Sequence, residues 1–293
     1  MERNRWADTP SQKPRATHCQ YRYRVRLPEP LQKMKRTITI LITFLLCISS
    51  FAQEKKILSF YEDTYIITGP SLRQDPFNIK FQMSFKLYPV TINKNWQVFM
   101  AYTQTSVWNA YQKSSPFKDN LFRPGVFFEN RPDSLNVIQI GFEHRSNGRP
   151  YFGNPIASYE VEDYSRGMNY ITASWYHNLT EYWQLQLTAR AGIGCGVDRY
   201  PRHENLYTQD LYVYYLGYFD AAIRYSNEYL SFKASVTPIW NKYAANVTIN
   251  CAYKFNPKWP ALFAQFHYGY DEAMCDCTQG VAPPVHFRIG IKL

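Results

Sequence analysis

The sequence predicts an all-β protein, a 12-stranded antiparallel transmembrane β-barrel, and three observations carry that expectation. The first is strict alternation over long stretches. In "FNIKFQMSFKL" Phe77, Ile79, Phe81, Met83, Phe85 and Leu87 share one face, and Asn78, Lys80, Gln82, Ser84 and Lys86 share the other. The second is the apolar segment "MKRTITILITFLLCISSFAQ", with Lys35 and Arg36 ahead of its core and Ser50, Phe51 and Ala52 behind it, which reads as a secretory signal over residues 34–52. The third is a regular succession of short and long connections between strands.

Taken in order, the alternating segments are 58–69, 77–88, 96–108, 122–130, 135–144, 168–178, 182–194, 211–225, 229–238, 243–255, 261–271 and 285–293, an even twelve. Their length of about ten residues exceeds the five or six of a soluble sandwich. The gaps "RPDS", "LTE" and "SNE" at 131–134, 179–181 and 226–228 are short and read as periplasmic turns. Gaps at 109–121, 145–167, 195–210 and 272–284 are long and read as outer loops. No repeat or linker interrupts the series, so residues 53–293 read as one barrel domain. Residues 1–33, ahead of the signal, read as an upstream extension or a mis-set start outside the fold.

Composition excludes other classes. The chain has 293 residues, 17% of them aromatic, and a mean hydropathy of −0.43; no 18-residue apolar run follows residue 52, so no transmembrane helix is expected. A net charge of +10 would suggest nucleic acid. Ten of the 33 Lys and Arg and three of the 23 Asp and Glu lie within residues 1–36, however, which leaves +3 for the rest. Nucleic acid is therefore not an expected partner. After the leader, Cys195, Cys251, Cys275 and Cys277 remain in an exported, oxidising setting that allows a bridge; Cys275 and Cys277 are too close for an ordinary disulfide and lack zinc-site spacing, and no functional cysteine is expected.

Against this frame one stretch stands out. In "LNVIQIGFEHRSNGR" the apolar parity of Ile138, Ile140 and Phe142 continues into His144 and Ser146, while Gln139, Gly141, Glu143 and Arg145 face the lumen. The next strand, "SRGMNYITASWYHN", puts Asn169 on the lipid-facing set with Ile171, Ala173 and Trp175, at the same end. These polar residues read either as ordinary interfacial markers of the end of the apolar band or as a chain of hydrogen bonds. In the second reading a serine is activated by an imidazole, and an amide holds the imidazole's tautomer. A neutral amide also costs less than a carboxylate at a membrane edge.

"HRSNGR" followed by "SRGMNY" resembles the signature of the outer membrane phospholipase A family, His-x-Ser-Asn-Gly-Arg and then Ser-Arg-x-x-Asn. "YTQTSVW", "SSPFKDNLFRPGVFF", "FNIKFQMSFKL" and "LFAQFHYGYDEAM" are similar to further parts of the family, in the same order, across residues 60–293. The resemblance implies a calcium-dependent phospholipase A (A1/A2 and lysophospholipase) of the outer membrane of a Gram-negative bacterium. It would be multi-pass, with phospholipid substrates in the outer leaflet and activity in the homodimer. It makes Ser146 the nucleophile, His144 the base, Asn169 the orienting residue and the Gly148 amide part of the oxyanion hole. For Ca2+ it implies the Arg149 carbonyl, Ser165, Ser114 from the partner subunit and, at a monomer site, Asp198. Gln104 matches a residue that pairs the barrels. Departures from the family are a longer loop between Gly148 and Ser165, Pro150-Tyr151 in place of an acidic residue, Met168 in place of a tryptophan, and Leu293 in place of a terminal aromatic residue. Glu162 and Asp163 are the acidic residues that the long loop offers instead. The alternatives are a non-catalytic barrel, a small pore or structural protein, and a lipid A deacylase, for which an acidic third member rather than Asn169 is expected.

Overall fold

Alternation of apolar and polar side chains dictates strands, and the computed structural model contains thirteen of them among the residues it describes, 58–72, 77–147, 167–193, 211–277 and 282–293. The extension 1–33 and the signal 34–52 lie outside the described residues. The strands are β1 (Leu58–Ser59), β2 (Tyr65–Gly69), β3 (Asn78–Thr91), β4 (Trp96–Trp108), β5 (Phe117–Asn130), β6 (Asn136–Ser146) and β7 (Gly167–Asn178), then β8 (Trp183–Ile193), β9 (Phe219–Ser226), β10 (Leu230–Pro238), β11 (Ala245–Tyr253), β12 (Ala261–Tyr268) and β13 (Val285–Lys292). From β2 to β13 each strand pairs antiparallel with its sequence neighbours, and β13 returns to β2 through Ile289↔Thr68 and Ile291↔Ile66. The ring of twelve is thereby closed and has no free edge, as a wall in lipid requires.

Two predicted strands differ from those observed. The segment 58–69 is in two pieces, β1 pairing with β3 through Leu58↔Leu87 and β2 through Tyr65↔Gln82, and between them Glu62 and Thr64 reach Ser84 of β3 outside the ladder register. Glu62 in that interval meets Arg123 at 2.9 Å. The segment 211–225 is strand only from Phe219. Tyr212–Leu216 is a helical turn ended by Gly217 at φ 77°, where a Cβ would stand 2.5 Å from the Pro238 carbonyl oxygen.

The short turns have a common local cause. A side-chain oxygen of Asn93, Asp133, Thr180, Asn227 or Asn256 accepts from backbone N–H groups two or three residues ahead, mostly in pairs such as Leu135 and Asn136 on Asp133 Oδ1, at 2.8 Å each. These side chains supply the partners that a tight reversal leaves over.

Parity sorts the wall as expected. Ile140 is 52% and Phe142 48% exposed on the outside, while Gly141 between them and Glu143 after them are buried. The lumen holds a polar cavity of about 220 Å³ with several ion pairs in its lining. Arg123 pairs with Glu143 at 2.9 Å, and Glu272 takes Lys80 at 2.6 Å and Arg288 at 2.8 Å. Pairing offsets the cost of removing such groups from bulk water.

An apolar cluster lies inside the barrel toward each end. Near the short turns Phe99 and Phe127 stack at 4.9 Å with Tyr61 and Tyr88 around them. At the loop end Leu121, Met168 and Tyr170 of the wall bury Tyr212, Tyr215 and Leu216 of the helical turn together with Tyr270 and Met274 of the β12–β13 connection. Aromatic rings contribute the largest buried apolar area per residue, which makes this outer plug a core in its own right.

Candidate active site

β6 and β7 run side by side in a register that places His144 opposite Asn169 and Ser146 opposite Gly167. All four residues have the lipid-facing parity at the loop end of the wall. His144 Nδ1 and Asn169 Oδ1 are 2.8 Å apart. An amide oxygen only accepts, so Nδ1 carries the hydrogen and Nε2 is left as the basic nitrogen. The structure brings together His144 and Asn169, the two residues to which the family resemblance assigns the base and its orienting partner.

Ser146 converges on the same spot from the side. A Cβ placed on Gly167 would lie 3.6 Å from Ser146 Cβ and 3.7 Å from His144 Cε1. The bare backbone of Gly167 is thus the floor beneath the serine and the imidazole. Among the described residues no hydrogen bond joins Ser146 Oγ to His144. Gly167 and Phe122 are site residues that sequence reasoning missed; the signal for Gly167 lies in "SRGMN", two positions before Asn169 on its face.

One lateral row crosses the outer wall at this level: Gln104 is opposite Phe122 on β5, and Phe122 is opposite Ser146. Gln104 accepts from Tyr102 Oη at 3.0 Å and donates to Ser106 Oγ at 3.3 Å, so the amide is satisfied along its own strand. Ser114 sits at the tip of the β4–β5 hairpin, exposed, with a left-handed φ of 65°. Gly148, Arg149, Ser165 and Asp198 lie outside the described residues, as do Glu162 and Asp163. Among the described residues no three His, Cys, Asp or Glu side chains gather as a metal site. The Ser114 hydroxyl is a hard, neutral oxygen and suits calcium better than a softer ion.

Behind the site, on the lumen face, Glu143 is held by Arg123, and Arg145 donates to the Asp271 carbonyl oxygen. Next to Asp271, Glu272 is an ionised anchor. Burial alone would raise its carboxyl pKa, but the Arg288 and Lys80 cations hold it well below the usual carboxylate range. Cys275 and Cys277 lie within the plug loop, and Cys251 is exposed on the outer wall.

A closed twelve-stranded ring with an apolar exterior and a polar lumen defines an outer membrane β-barrel. The family model described as phospholipase A1 matches residues 51–282, and the chain belongs to that family; it is an outer membrane phospholipase. None of the curated proteins matches the chain. Among solved structures, the calcium-bound outer membrane phospholipase dimer of Salmonella typhi aligns with a TM-score of 0.66 and 21% identity, covering 84% of this chain and 96% of that one. Outer membrane phospholipase A of Escherichia coli aligns with a TM-score of 0.65 and 20% identity, covering 80% of this chain and 98% of that one. Both likenesses are of fold.

Proposed function

We propose that the chain hydrolyses acyl esters of outer-leaflet phospholipids through Ser146, His144 and Asn169, and that calcium and pairing of two barrels switch it on. The observation that carries this reading is the 2.8 Å His144–Asn169 contact on the lipid-facing wall, with Ser146 two residues along on the same face. A nucleophile there reaches a lipid ester without drawing the lipid into the lumen. Ser146 Oγ attacks the ester carbonyl as His144 Nε2 takes its proton. The imidazolium, steadied by Asn169, gives that proton to the departing lysophospholipid oxygen. Water activated by the same nitrogen then cleaves the acyl-serine and releases a fatty acid, with the Gly148 amide as an oxyanion donor. Calcium, held by the Arg149 carbonyl, Ser165 and Ser114 of the partner subunit, would polarise the ester carbonyl, with Asp198 serving a monomer site. Gln104, in one row with Ser146, suits a place in the contact between barrels.

The test is an acyl ester assay in detergent on the parent chain and Ser146→Ala, with calcium and with chelator. The expected result is calcium-dependent release of fatty acid that falls by about 10³-fold or more in the variant. Undiminished release from Ser146→Ala would overturn the reading. The same assay on cross-linked dimer and on dilute monomer tests the pairing: equal specific activity would remove it. A small pore is a poorer fit, because the apolar plug of Tyr212, Tyr215, Leu216, Tyr270 and Met274 occupies the loop end of the lumen among the described residues.

A further inference from the structure

We infer that Arg145, between the proposed base and nucleophile, is a positioning residue that ties the catalytic end of β6 to the outer plug; this rests on the proposed triad. Three observations lead there. The first is a gap in the ladder. β5 and β6 pair at Gly125↔Glu143 and again at Phe122↔Ser146, with no pairing between, in the interval where Arg123 and Pro124 pass His144 and Arg145. Pro124 has no N–H to give, so β6 lacks its β5-side support beside the catalytic histidine.

The second observation is what replaces that support. Arg145 leaves the opposite face of the same strand, enters the lumen and donates to the Asp271 carbonyl oxygen. Asp271 precedes Glu272, which Lys80 and Arg288 fix to the barrel wall at 2.6 and 2.8 Å. Tyr270 and Met274 of the same connection are buried in the apolar plug. A chain of rigid contacts therefore runs from the wall through Glu272 and Asp271 to the backbone that carries His144 and Ser146.

The third is that the guanidinium is placed at a cost. Its Nε is buried with no partner among the described residues, and Arg145 forms no ion pair with a carboxylate there, whereas Arg123, Lys80 and Arg288 in the same lumen each do. A buried cation satisfied through a backbone carbonyl is an expensive way to fill space and an effective way to hold two chain segments at a fixed distance. A displacement of about 1 Å at a nucleophile costs on the order of 10²-fold in rate, so this tether bears on turnover.

The experiment compares the full-length parent with Arg145→Met, Arg145→Lys, Glu272→Gln and the double variant Arg145→Met/Glu272→Gln, each confirmed as folded barrel by its heat-dependent gel mobility. Arg145→Met is expected to lower kcat about tenfold with KM within twofold, and Arg145→Lys, which keeps a donor, to recover part of it. Loosening the plug loop with Glu272→Gln is expected to lower kcat in the same manner. If Arg145 acts through that loop, the double variant loses no more than the worse single one. A folded Arg145→Met with parental kcat overturns the inference, as does a double variant whose losses multiply. Should Arg145→Met fail to fold, Glu272→Gln decides, and parental kcat there overturns it. Ser146→Ala is run alongside: if it stays active, the triad reading fails, whereas an inactive Ser146→Ala beside a fully active Arg145→Met removes only the tether.

Discussion

Asn169 Oδ1 accepts from His144 Nδ1 at 2.8 Å, the two residues standing directly opposite each other on β6 and β7. Cross-strand neighbours share one backbone geometry, so the imidazole is aimed by the sheet itself rather than by a loop. The amide adds no charge to be kept out of the lipid.

From this pair comes the first expected outcome. Asn169→Ala removes the acceptor, frees the tautomer and lets the ring rotate, and should lower kcat about 10- to 100-fold with little change in stability. Steady-state kinetics on a micellar ester substrate measure it. Parental kcat in the variant would leave Asn169 as an interfacial amide only.

Gly167 gives a graded steric test. Its missing Cβ would stand 3.6 Å from Ser146 Cβ and 3.7 Å from His144 Cε1, both ordinary contact distances. Gly167→Ala should therefore be tolerated within about threefold, whereas Gly167→Leu fills the space between Ser146 and His144 and should reduce kcat by about 10²-fold or more. If leucine is tolerated as well as alanine, Ser146 and His144 do not work across Gly167.

The lipid-facing stripe of His144, Ser146 and Asn169 is legible in the sequence because a period of two assigns faces without knowledge of the partner strand. Their exact opposition is not: a long connection separates the two strands, and nothing local sets the register across it. The 212–216 turn misleads for a related reason. Tyr212 and Tyr214 alternate there as they would in a strand, but the turn buries Tyr212 and Tyr215 in the barrel's mouth and leaves Tyr214 exposed. The bond from Arg145 to Asp271 spans 126 positions and has no local trace. Pro124, inside an otherwise regular strand, is the visible sign that the ladder breaks beside the site.

Gly125 and Gly141 make room for Phe127 in the inner aromatic cluster, in different ways. A Cβ on Gly125 would meet Phe127 ring carbons at 2.7 and 3.0 Å, whereas one on Gly141 would meet the ring at 2.3 Å and the Val126 carbonyl oxygen at 2.6 Å. Each alanine should destabilise the barrel by about 1–3 kcal/mol. Phe127→Leu should restore much of the loss for Gly125→Ala and little for Gly141→Ala, because backbone cannot step aside. Unfolding by urea in detergent reads both, and equal rescue would contradict the backbone clash.

Glu272 sets the acid limit of the plug. Burial raises its pKa, yet Arg288 and Lys80 outweigh burial and leave the folded carboxyl well below its unfolded value. A depressed folded pKa means that the unfolded state binds the proton first as pH falls. The stabilisation is then fully present above the unfolded carboxylate pKa and is lost progressively as pH falls through the folded one. Glu272→Gln removes it at neutral pH and also leaves Lys80 and Arg288 without their common anion. The variant should be less stable than the parent near pH 7, with the difference narrowing toward strong acid. Thermal unfolding of both proteins across that range measures it. A gap that stays constant down to strong acid would show that Glu272 supports the loop by shape rather than by charge.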